Sequence, residues 1–172
     1  MTNEKMLNDM LDMQAELDKT ILKESGTSYA ELLRTRAYDR AILDELGELN
    51  HELKADWCWW KKSQEPVDRK QVLEEFVDVL HFCLSYTLAE IATAQYPDLY
   101  RKTIVIICQR YLDKPDNNLD ILDWWHYGQK KFGQPLIKVI LLMHWLEFDL
   151  AEVYEAYKQK NAVNHQRQQE GY

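Results

Sequence analysis

Residues 73–82 read LEEFVDVLHF and run on into Cys83 and Leu84. Turned at about 100° per residue, Leu73, Phe76, Val77, Val79, Leu80, Cys83 and Leu84 cover most of a helix's circumference. A helix apolar on nearly all sides has to be surrounded by others, so it is expected at the centre of a helical bundle. The same ten residues carry two acids three apart, Glu75 and Asp78, with Phe82 one turn beyond. At the centre of a bundle those carboxylates are partly shielded from water.

The chain on either side is also helical in pattern. Met6, Met10, Met13, Leu17 and Ile21 stand at helical spacing over about residues 5–23, and Ser25-Gly26-Thr27 ends that helix. Ser28 with Glu31 three residues on is a capping-box pattern and opens a second helix, expected from Tyr29 to Lys54. A tryptophan-rich turn, Trp57-Cys58-Trp59-Trp60, and Pro66 precede the third helix, expected from about Asp68 to Ala94. Further helices are expected over 99–112, 119–131, 136–145 and 149–160, with a loop at 113–118 and a polar tail, 161–172. No segment has strand periodicity. The expected fold is all-α, an antiparallel helical bundle in a single domain spanning 1–172, with an unassigned segment at about 92–134 that has the character of an insertion.

Composition narrows the function classes. A formal charge of −8, with 29 acidic against 21 basic residues, repels a nucleic-acid backbone. It leaves room for a single nucleotide bound through a metal. The three cysteines form no CxxC pair and no disulfide framework. The first residues lack a signal-peptide apolar block, and the longest apolar run, Val139–Met143, is too short for a membrane span. A cytoplasmic location is expected, with no membrane partner.

The second helix repeats the acidic pattern. Ile42, Leu46, Leu49 and Leu53 form its apolar stripe, and Glu45, Glu48 and Glu52 fall within a roughly 60° arc along one flank. Carboxylates gathered beside a core repel one another and lose hydration, so they protonate or a multivalent cation compensates them. Magnesium takes carboxylate oxygens and keeps its remaining positions for water and phosphate. Glu45, Glu48, Glu75 and Asp78 are therefore candidate metal ligands. Spacing alone leaves open the plainer alternative of solvated helix faces. Gln14, on an otherwise apolar methionine face, is a buried amide that needs partners, and a base edge would supply them.

The order of Glu45-Leu-Gly-Glu48, Trp57-Cys-Trp-Trp-Lys61, the 73–82 stretch and the tail from Lys160 to Tyr172 resembles the dimeric dUTPases. These belong to the all-helical nucleoside triphosphate pyrophosphatases, which include the MazG-like enzymes. The early Met13-Gln-Ala-Glu-Leu-Asp18 is similar to that family's first motif, except that Asp18 stands near a place where Asn is expected. The resemblance implies hydrolysis of dUTP, with dUDP as a further substrate, to dUMP by metal-activated water, and a homodimer. It implies two or more Mg2+ ions on Glu45, Glu48, Glu75 and Asp78, with Mn2+ as a substitute. Glu45 would orient or deprotonate the water, with Glu48 as rival. Lys61, Lys160, Asn164 and Arg167 would hold the phosphates, and Gln14, Asp18, Trp57, Trp60, His81, Phe82 and Asn161 the base and sugar.

Three other readings remain at this point. A related enzyme would act on dCTP or on many nucleotides. Glu48-x-x-His51 and Asp78-x-x-His81 have the spacing of di-iron carboxylate ligands. A helical interaction module with an acidic groove would have no metal requirement.

Overall fold

The computed structural model describes residues 1–113, 120–127 and 134–171, with the backbone alone at 125–127. Residues 114–118 of the expected loop, part of the helix expected over 119–131, and Tyr172 fall outside the described residues. Nine helices are described: α1 (Asn3–Ser25), α2 (Tyr29–Arg34), α3 (Ala37–Glu52), α4 (Lys54–Trp57), α5 (Arg69–Thr93), α6 (Pro97–Leu112), α7 (Ile121–Tyr127), α8 (Pro135–Trp145) and α9 (Leu150–Gln169). No strand occurs among the described residues.

The central helix is α5, as its pattern requires. It packs against α1, α2, α3, α6, α8 and α9. Phe76, Val77, Val79, Cys83 and Leu84 are each at most 1% exposed. By length and hydropathy α5 could cross a membrane, but 61% of its most apolar window is buried inside the bundle. It is the core helix of this fold.

Helix ends follow side-chain chemistry. Thr2, Ser28, Asp68 and Asp149 each accept a hydrogen bond from a backbone N–H two or three residues on, capping α1, α2, α5 and α9. At Ser28 the capping box is half made, because the Glu31 carboxylate turns forward to Arg34 at 2.6 Å. Gly26 closes α1 in the left-handed region at φ 65°. The Gln134 side chain accepts from Leu136 N and Ile137 N, so this residue starts α8.

Two expectations are corrected. The long second helix is three pieces: Arg36 takes φ 58°, which breaks α2 from α3, and Leu53 separates α3 from α4. The last helix, expected to stop at Lys160, runs on through the polar tail, since α9 continues unbroken to Gln169. Tyr157, fully buried, anchors its middle by donating to the Met10 carbonyl at 3.2 Å. Cys58, Cys83 and Cys108 are all free and buried.

Candidate active site

A cavity of about 630 Å3 opens between α1, α2, α3, α5 and α9. One end is acidic. α3 and α5 pack along each other and bring Glu45, Glu48 and Glu75 together, each offering an oxygen within 4.8 Å of the others. Asp78 lines the same cavity one turn along α5, where its Oδ2 receives Lys160 Nζ at 2.5 Å. The acids, a lysine and an arginine meet in this one place.

Electrostatics mark this end as strained. Desolvation, then the neighbouring Asp78, Glu48 and Glu75, push the Glu45 carboxyl up to about 7. Glu75 is raised by burial and by Asp78, and its Oε2 is buried without a partner. Burial also raises Asp78, against the lowering effect of the Lys160 hydrogen bond and charge. A cluster that holds protons this tightly, with an orphaned oxygen facing it, fits a divalent cation. Such an ion would neutralise the repulsion and take up Glu75 Oε2.

The cationic wall comes from α9. Lys160, Asn164 and Arg167 succeed one another at four and three residues, so one helix face presents all three to the cavity. This face borders the carboxylates, with Lys160 reaching Asp78 directly.

The other end is a polar nest around Gln14. Its Nε2 donates to Asp18 Oδ1 at 2.8 Å and to Ser85 Oγ at 3.0 Å. Its Oε1 accepts from His81 Nδ1 at 2.7 Å and from the Tyr157 hydroxyl at 2.9 Å. Ser85 donates to Asp18 Oδ1, and Tyr29 donates to Asp18 Oδ2. The protein itself therefore supplies the partners that the buried amide requires. His81 stacks on Tyr157 with centroids 4.5 Å apart, and burial holds its ring neutral, down to about 3. Phe82 is half-buried on the cavity wall, beside Tyr38.

The fifteen site residues singled out from sequence divide clearly by position. Glu45, Glu48, Glu75, Asp78, Lys160, Asn164, Arg167, Gln14, Asp18, His81 and Phe82 all line the cavity. Asn161 lies just beneath it, buried, donating to the Tyr157 hydroxyl at 3.4 Å. Lys61, Trp57 and Trp60 are elsewhere: Lys61 borders a separate groove with Glu52, Glu65 and Asp68. Trp57 and Trp60 pack on each other, 40% and 59% exposed. Ser85, Tyr29, Tyr38 and Tyr157 were not legible as site residues, because their roles depend on contacts far apart in sequence. The di-iron alternative lacks its histidines: His51 is exposed against Lys54, and neither His51 nor His81 joins the carboxylate cluster.

A family model described as dUTPase matches residues 6–172. The chain belongs to the dUTPase family. Membership makes it an all-helical nucleotide hydrolase directed at dUTP, and it covers both halves of the cavity, from Gln14 on α1 to Arg167 on α9. A search of curated proteins gives no match.

Proposed function

We propose that this dUTPase-family protein hydrolyses dUTP, and also dUDP, to dUMP with Mg2+ held on Glu45, Glu48, Glu75 and Asp78. The observation that carries the reading is the meeting, in one cavity, of three carboxylates within 4.8 Å and the Lys160–Asn164–Arg167 face of α9. The metal supplies charge neutralisation of the phosphates and a lowered pKa for water.

The remaining work belongs to the chain's own residues. Glu45, on the α3 wall of the cavity, orients or deprotonates the attacking water. Glu48, its neighbour on α3, is the alternative base. Lys160 and Arg167 bind the phosphate oxygens, the guanidinium through its planar fork, and Asn164 donates a further hydrogen bond. Phe82 offers its ring face to the base. Apolar walls from Leu17, Ile21, Leu22 and Leu32 limit water at the nucleoside end.

A homodimer is proposed from family membership and from Trp59 and Trp60, which are 87% and 59% exposed and stack edge to face at 5.8 Å. A second copy covering these indoles would remove a costly apolar surface. The three unpaired thiols support a cytoplasmic, reducing location.

The test is pyrophosphate release from a panel of dNTPs, and phosphate release from dUDP, with Mg2+, with Mn2+ and with chelator. Turnover of dUTP that stops with chelator and falls at least about a thousandfold in Glu75→Gln is expected. Equal turnover of all dNTPs would remove the base assignment, and turnover indifferent to chelator would remove the metal.

A further inference from the structure

Lys138 stands inside an otherwise apolar core helix. Its neighbours on α8 from Leu136 to Met143 are buried apolar residues, and Lys138 itself is 6% exposed. Among the described residues no other lysine or arginine is buried to this degree. Its ammonium carries three donors. Nζ lies over the Trp124 ring, 5.5 Å from the centroid, which meets the charge on one side. No described carboxylate forms an ion pair with it, and Asp39 acts on it through charge alone. Burial pulls the ammonium below the ordinary lysine range. A buried cation without a counter-ion is costly, so its surroundings should show where an anion fits.

Lys138 borders a cavity of about 380 Å3, separate from the acidic one and within the size range of small-molecule sites. Arg36 and Arg40 line the same cavity from the start of α3. Asp39 offsets Arg36, with its Oδ2 3.2 Å from Nε. Arg40 has no ion pair among the described residues, so two positive charges are left uncompensated in a chain of formal charge −8. The backbone adds to the field. Arg36 is the N-cap of α3, at φ 58°, and no side chain caps the first turn. Residues held in that sparsely populated region cluster at ligand clamps.

We propose that Arg36, Arg40 and Lys138 form a second anion site, distinct from the acidic cavity, that takes a phosphate dianion, free or as a small phosphomonoester. Two uncompensated cations match a dianion. A carboxylate or a phosphodiester, with one charge each, would leave one cation unpaired. The guanidinium of Arg40 offers a planar fork for two phosphate oxygens, and Lys138 a point charge. Ile42, Leu43, Leu46 and Trp124 form an apolar wall against which the organic part of an ester would rest. α3 separates the two cavities, with Glu45 and Glu48 lining one and Arg36 and Arg40 the other. This site stands whether or not dUTP is the substrate.

The experiment is backbone-amide NMR of the full-length protein in chelator, titrated at constant ionic strength with inorganic phosphate, phenyl phosphate and acetate. Both phosphates should shift the amides of residues 36–40 and 138, and acetate should not. Tighter binding of phenyl phosphate, with a shift of the Trp124 indole N–H, assigns the site to an ester; equal binding assigns it to the free anion. Lys138→Met and Arg40→Gln should each weaken binding about tenfold or more. Arg167→Gln, in the acidic cavity, should leave the shifts at 36–40 unchanged. In phosphate-free buffer Lys138→Met should melt no lower than the parent, and phosphate should raise the Tm of the parent alone. Shifts confined to residues 160–167, an equal response to acetate, or unaltered phosphate binding in either variant overturns the proposal. So does a Lys138→Met protein that melts lower yet binds phosphate as before, which would make Lys138 a packing residue. Arg40 is exposed, so Arg40→Gln decides the matter if Lys138→Met does not fold.

Discussion

Changing Glu45 to Gln removes one of three carboxylates whose oxygens lie within 4.8 Å, and the structure gives the size of the effect on stability. Burial and the surrounding acids raise the Glu45 carboxyl from 4.5 to about 7 in the folded protein. A raised carboxyl value means the folded state holds the proton more tightly than the unfolded state. Metal-free protein therefore gains stability as pH falls from about 7 toward 4.5, and loses this contribution above 7. The full shift corresponds to at most about 3.4 kcal/mol. The side chain is only half-buried, and solvent screening reduces this to about 1–2 kcal/mol. For a chain of 172 residues that is a Tm change of about 3–6 °C. Thermal melts in chelator should find Glu45→Gln more stable than the parent by this margin at about pH 8, with the gap narrowing as pH falls and closing only near pH 4.5. Added Mg2+ should raise the parent's Tm more than the variant's. Equal melting at the higher pH, or a gap that ignores pH, would show that the acids do not repel one another as described.

Lys160→Met removes both the ion pair with Asp78 and a phosphate ligand, so KM for dUTP should rise about tenfold or more in steady-state assays. Glu147 holds φ 58° just after α8, and Glu147→Gly should raise the urea midpoint by the equivalent of about 1 kcal/mol. Gly47 sits inside α3 with no atom within 4 Å of a would-be Cβ, so Gly47→Ala should stabilise by up to about 1 kcal/mol. A loss of stability there would mean that another surface packs on that face. Leu84→Ala, at 0% exposure on α5, should cost about 2–5 kcal/mol in chemical denaturation.

Much of this molecule is readable from local pattern. The apolar girth of α5 placed it at the centre, and the i,i+3 acids on α3 and α5 were legible as candidate ligands, although their spacing alone did not separate a shared cluster from solvated helix faces. What escaped had non-local or backbone causes. The break at Arg36 carries no glycine or proline, so nothing in the sequence announces a residue held at φ 58°. The helix through 161–169 is almost uniformly polar and shows no amphipathic stripe; Tyr157, bonded to Met10 on α1 and to Asn161, anchors its start. Gln14 was legible as unusual, but three of its four partners lie 67, 71 and 143 residues away. Periodicity has no access to such distances. Lys61 and the tryptophans were grouped with the site by motif order, which fixes sequence neighbours and not where a turn points.

The buried thiols turn the bundle into its own unfolding gauge. Cys83 and Cys108 are 0% exposed, and burial pushes the Cys108 thiol up to about 12, so neither reacts as a thiolate in the folded state. A disulfide reagent would reach them only when helices part, and its rate would report how often that happens. Cys83 lies five residues beyond Asp78 on α5, so opening the acidic end and labelling the sulfur are one motion of the same helix. Anything that ties α3 to α5 should slow the clock.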